Sequence, residues 1–71
     1  MSRLNNVSAR ECIRALERAG FIFKRQNGSH IILGKAGRRV SVPNHNPIKV
    51  GTLRNIIDQA GLTVDEFLEL L

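Results

Sequence analysis

The chain has no Trp or Tyr and a single cysteine, and each scarcity closes off a class of function. Cys12 has no partner for an internal disulfide, and without a pair of CxxC motifs no thiolate zinc site can be assembled. Phe21, Phe23 and Phe67 are the only aromatics, too few for the base-stacking platform of single-strand-binding modules. A chain of 71 residues lies near the lower limit for an unstapled core, so those rings are expected inside. No apolar run reaches the length of a membrane span, and Met1 to Asn6 carries no hydrophobic signal segment. The expectation is one soluble, reduced, cytoplasmic domain over residues 1–71.

Negative charge is also missing, and its absence is local. Between Glu17 and Asp58 there is no Asp or Glu, while Arg18, Lys24, Arg25, Lys35, Arg38, Arg39, Lys49 and Arg54 all fall there. The net charge of +5, from 11 basic and 6 acidic residues, is thus concentrated in the middle, with Asp58, Asp65, Glu66 and Glu69 behind it. A basic centre and an acidic tail imply two surfaces with different partners. The centre suits a polyanion, RNA above all, although small domains are often basic without binding anything. An acid-free middle has no carboxylates to hold Mg²⁺, which argues against two-metal nuclease chemistry. His30, His45 and Cys12 are too few and too scattered for another metal site. No metal or cofactor is expected.

Ser8-Ala9-Arg10-Glu11 has capping-box spacing, and Ala9, Cys12, Ile13, Leu16 and Ala19 then repeat as one buried helical face ending at Gly20. Arg10, Arg14 and Arg18 form another face, either a phosphate-facing ridge or a solvated one. Residues 21–26 and 29–33 read as strands joined by a type I′ turn at Asn27-Gly28, with a second turn at Gly34 to Gly37. Arg39 to Val42 alternates as a third strand, Pro43 stops it, and Asn44 to Pro47 is loop. A second helix starts at Lys49 or Thr52 and runs to Ala60, with Val50, Leu53, Ile56, Ile57 and Ala60 inward. Thr63 to Glu66 is another capping box, opening a short helix with Val64, Phe67, Leu68 and Leu71 inward. The order predicts an α+β fold, α-β-β-β-α with a three-stranded antiparallel sheet, helices on one side and a short extra C-terminal helix.

A two-residue Asn27-Gly28 loop would set Gln26 opposite Ser29, Arg25 opposite His30, Lys24 opposite Ile31 and Phe23 opposite Ile32. Phe21, Phe23, Arg25, His30 and Ile32 would then share one face, with the apolar members under the helices and Arg25 and His30 at its rim. Lys24 would face the other way. A guanidinium directly across from His30 would favour the neutral imidazole, which could take the proton of a ribose 2′-OH while nearby Lys and Arg stabilise the phosphorane. From periodicity alone a structural or simply exposed histidine is the favoured reading, and Ser29 has a plain alternative in satisfying the hairpin backbone.

Gly20-Phe21, Arg25-Gln26-Asn27-Gly28-Ser29-His30, Val42-Pro43-Asn44-His45, Gly51-Thr52-Leu53-Arg54-Asn55-Ile56-Ile57 and Ala60-Gly61-Leu62 together resemble the HicA (YcfA-like) toxins, in order and spacing. The resemblance covers the chain from about Ala9 to Phe67. It implies a type II toxin–antitoxin mRNA interferase, a metal-independent endoribonuclease with a fold similar to a double-stranded-RNA-binding domain. It further implies a catalytic histidine at His30, no cofactor, and inhibition by a HicB-type antitoxin that covers the active site. His45 matches a histidine common after the proline in relatives, as a second acid/base, a phosphate contact or a loop-pinning group. Lys24, Arg25, Ser29, Lys35, Arg38, Arg39, His45 and Lys49 are the candidate RNA contacts beside His30. A non-catalytic RNA-binding module on the same basic surface is the alternative, and a protein-interaction subunit docking through the acidic C-terminal helix a third reading.

Overall fold

A computed structural model describes residues 4–71. The element order is α1 (Ala9–Arg18), β1 (Ile22–Asn27), β2 (His30–Lys35), β3 (Arg38–Pro43), α2 (Val50–Gln59) and α3 (Val64–Leu70). The strands form one antiparallel sheet in the order β1-β2-β3. This is the α+β fold that the sequence pattern predicts.

Both expected capping boxes are made. The Ser8 hydroxyl accepts from Glu11 N at 3.1 Å while Glu11 Oε1 accepts from Ser8 N at 2.9 Å, and Thr63 and Glu66 repeat the exchange at 3.1 and 2.8 Å. Each box satisfies amides that the first helical turn leaves without partners. Beyond Ser8, α1 buries Ala9, Cys12, Ala15 and Leu16; α2 buries Leu53, Ile56 and Ile57. These meet Leu33, Val40 and Val42 from the sheet, with Phe21, Ile48 and Phe67 closing the core. Among the described residues no polar or charged side chain is buried.

The helices do not cover the sheet evenly. α1 and α2 pack on β3, and α3 packs on α1 and α2, so β1 overhangs as an exposed edge strand. Phe23 therefore stays 57% exposed and Ile22 58%, against the expectation that Phe23 packs inside. In α3, Phe67 is buried, but Val64 and Leu71, both expected inward, are exposed. Seven residues make barely two turns, and Phe67 with the partly buried Leu68 and Leu70 already spans the contact.

The loop of the first hairpin lies one residue further along than expected, which moves the partner of Arg25 from His30 to Ile32. Asn27 pairs with His30, Gln26 with Ile31, Arg25 with Ile32 and Phe23 with Leu33, with an irregularity at Lys24. The loop is thus Gly28-Ser29, with positive φ (63°) at Gly28 and not at Asn27 or Ser29, the pattern of a type II′ connection. The expected type I′ geometry occurs instead in the second hairpin, whose loop is only Ala36-Gly37, both at positive φ (48° and 84°). Gly34 and Lys35 belong to β2. The core face decides the register: Leu33 opposite Val40 and Ile31 opposite Val42 turn toward the helices. His30 and Ile32 consequently lie on the open face, not under the helices.

Candidate functional site

His30 opens β2 and stands opposite Pro43, the last residue of β3. Immediately beyond this pair Asn44 N donates to the Ser29 carbonyl at 2.7 Å, extending the attachment by one residue. The chain then bends, with His45 N donating to the Pro43 carbonyl at 2.9 Å. Asn46 Oδ1 accepts from Ala9 N at 2.9 Å, and Ile48 N donates to the Val7 carbonyl at 2.8 Å. The peptide bond between Asn46 and Pro47 is cis. The loop between β3 and α2 is thereby fastened to the first hairpin at one end and to the start of α1 at the other.

These attachments enclose a cleft of about 480 Å³, lined by His30, Ser41, Pro43, His45, Pro47, Ile48, Lys49 and Thr52. Lys49 is the N-cap residue of α2, whose first turn has neither a side-chain cap nor an acidic residue. Its free amides and the positive end of its dipole therefore stand at the cleft margin beside the Lys49 ammonium.

A second groove of about 470 Å³ lies toward the far end of the sheet, with Ile22, Lys24, Gly34 and Arg39 in its lining. Lys24 reaches it because of the irregularity in β1. Its Cε lies 2.8 Å from where a Cβ on Gly34 would stand, so its side chain crosses the same face that carries His30. The sequence register had turned Lys24 away; one unpaired residue returns it. Gly34 is the position where any larger residue would displace that lysine. No carboxylate lines either groove.

The other expected contacts divide. Arg25 faces Ile32 across the ladder, two residues short of His30, so the direct Arg25–His30 pairing is not formed. Ser29 sits in the loop, its carbonyl taken by Asn44. Lys35 and Arg38 border the second groove, yet their terminal groups serve helix ends. Lys35 Nζ donates to the Ala19 carbonyl and lies 5.9 Å from the centre of the Phe21 ring. Arg38 Nη1 donates to the Gln59 carbonyl at 3.3 Å. Arg18 Nη1 similarly donates to the Leu70 carbonyl. Each helix thus ends on a carbonyl reached by a cation, which suits the negative end of its dipole.

Sequence reasoning missed Ser41, Thr52 and Asn46. Ser41 was legible in principle, since it precedes Pro43 by two residues and shares its face. Thr52 entered only within the Gly51-Thr52-Leu53 stretch, with no role assigned to it, and Asn46 depends on the path of the loop and left no local signal.

Among the described residues no three of His, Cys, Asp and Glu cluster as metal ligands would, and no helix is long and apolar enough to cross a membrane. Compared with known families, the chain matches the model of the HicA toxin of bacterial toxin–antitoxin systems over residues 9–62. The chain belongs to the HicA toxin family. In this HicA-family chain the matched span holds the whole sheet, α2 and every residue lining the two grooves; α3 lies beyond it. Among curated proteins no individual relative matches.

Proposed function

We propose that this protein is the endoribonuclease toxin of a type II toxin–antitoxin pair. It cleaves mRNA without a metal, acts in the cytoplasm as a single domain, and is silenced by a HicB-type antitoxin. The observation that carries this reading is His30 lining a cleft on the open sheet face, beside Lys49 and an uncapped helix N-terminus. An imidazole there is placed to take the 2′-OH proton, and the oxygen so freed attacks the adjacent phosphorus. The Lys49 ammonium and the α2 amides would hold the phosphate and stabilise its added charge. The chemistry is written in histidine and ammonium groups and calls on no cofactor.

Lys24, Arg25 and Arg39 extend positive charge from the cleft along the same face and serve as phosphate contacts for the flanking RNA. Ser29, at the tip of the first loop, borders that path. Lys35 and Arg38 add charge to the wall of the second groove while holding their helix ends. The same cleft offers an antitoxin a small concave target whose occupation would remove His30 from RNA.

The test is cleavage of a long mRNA in EDTA by the wild-type protein and by His30→Ala. Wild type alone should cut, leaving 2′,3′-cyclic phosphate ends, with RNA affinity nearly unchanged in the variant. General acid–base groups typically contribute about 10²–10⁴-fold, so the loss should be plain. If both proteins bind RNA and neither cuts it, the chain is an RNA-binding module. Equal cutting by both would remove His30 from the mechanism.

A further inference from the structure

We propose that His45 is the general acid of this reaction, protonating the departing 5′-oxygen while His30 takes the 2′-OH proton. This rests on the endoribonuclease reading above. In-line displacement at phosphorus places the attacking 2′-oxygen and the leaving 5′-oxygen on opposite sides of the phosphate. A cleft that performs it without a metal therefore needs two proton-handling groups on separate walls, with a cation for the non-bridging oxygens between them.

The cleft provides this set. His30 comes from β2 and His45 from the loop after β3, and both line the same cavity with Lys49. Their backbones are tied by the ladder pair His30–Pro43 and by the Asn44 N to Ser29 O bond at 2.7 Å. His45 stands two residues beyond the one that faces His30. Past Pro43 the chain leaves the sheet and bends, so the two imidazoles come to the one cleft from different segments.

The other lining groups fit the role poorly. Hydroxyls such as Ser41 and Thr52 hold their protons too tightly, and an ammonium is a weak acid better used as a fixed charge. Only histidine side chains ordinarily exchange a proton near neutral pH, and this cleft contains two.

The step balances. The 2′-O–H proton passes to neutral His30, the 2′-oxygen to phosphorus bond forms, and the phosphorus to 5′-oxygen bond breaks. The electron pair of that bond leaves on the 5′-oxygen, which receives the proton of His45 imidazolium. The products are a 2′,3′-cyclic phosphate and a 5′-hydroxyl, and exchange with water resets both rings.

The experiment uses an RNA whose cleaved bond carries sulfur in place of the bridging 5′-oxygen, since a thiolate leaves without protonation. His45→Ala and His45→Gln should lose about 10²-fold or more on ordinary RNA and less than about 10-fold on the sulfur-substituted strand. His30→Ala should be impaired on both. If the His45 variants are equally impaired on both substrates, or on neither, His45 is not the acid, although the nuclease reading stands. If wild type cuts neither substrate, or His30→Ala matches wild type, the nuclease reading itself fails and the proposal with it.

Discussion

Lys24 has no partner across the β1–β2 ladder, and this one residue decides which cations share a face with His30. The sequence draws attention to the segment, because Gly28-Ser29-His30 sits inside an acid-free stretch. It did not expose the register, because one irregular residue moves every later side chain to the other face. Two other positions invite direct tests. Burial pushes the Cys12 thiol up from 9.0 to about 12. The unfolded chain then loses that proton at a lower pH than the folded one, so stability contributed by the un-ionised thiol falls as pH rises from about 9 toward 12. Denaturant titrations at pH 8 and pH 10 should show the decline, and Cys12→Ala, with no thiol to ionise, should show a shallower one. At pH 8 the native thiol should resist iodoacetamide until the chain is unfolded. Ala36 holds a left-handed backbone conformation (φ 48°), which costs a residue with a Cβ about 1–2 kcal/mol. Ala36→Asn, matching the Asn-Gly preference of a type I′ turn, should stabilise by about 1 kcal/mol. For a chain of this size that raises Tm by roughly 4–8 °C, readable by calorimetry.

At the level of elements, helices were the most legible because their ends are chemically marked. Ser8 with Glu11 and Thr63 with Glu66 predicted two of the three starts, and the apolar repeat in between predicted the buried faces. The strands were legible in number and order. Their faces were not, because His30-Ile31-Ile32-Leu33 is apolar at three successive positions and gives no alternation to choose by. Only pairing with Val40 and Val42 settles it. The cation at each helix C-terminus could not be read at all, since Arg18, Lys35 and Arg38 are distant in sequence from the carbonyls they reach, by 52, 16 and 21 residues. Lys35→Met and Arg38→Met should each destabilise by about 0.3–1 kcal/mol, seen as a lowered denaturation midpoint with an unchanged slope. Thr63→Ala should cost about 1 kcal/mol through its capping box. Because α3 lies outside the grooves, that variant should retain its RNA affinity.

Across the whole molecule, the strands carry only basic charge and α3 only acidic charge, while α1 and α2 carry both signs. The sheet presents an open face with Lys24, Arg25, Arg39 and the His30 cleft, while Asp65, Glu66 and Glu69 belong to α3, packed against the other helices. Binding to single-stranded RNA should therefore weaken with salt, by about 0.7 in the log–log slope for each phosphate contacted. If Lys24, Arg25, Arg39 and Lys49 each hold one phosphate, the slope is about −3. Replacing Lys24 by Met should reduce it by roughly one contact's worth, whereas Lys35→Met should change it less; fluorescence anisotropy across a salt series decides. The tether from Asn44 N to the Ser29 carbonyl has a consequence on a different plane. The loop beside His30 is held by hydrogen bonds at both ends, to the first hairpin and to the start of α1. On the endoribonuclease reading, a site fastened in this way would be armed as soon as the chain folds. Its restraint would then fall to a partner that occupies the cleft and is already present when the chain is made.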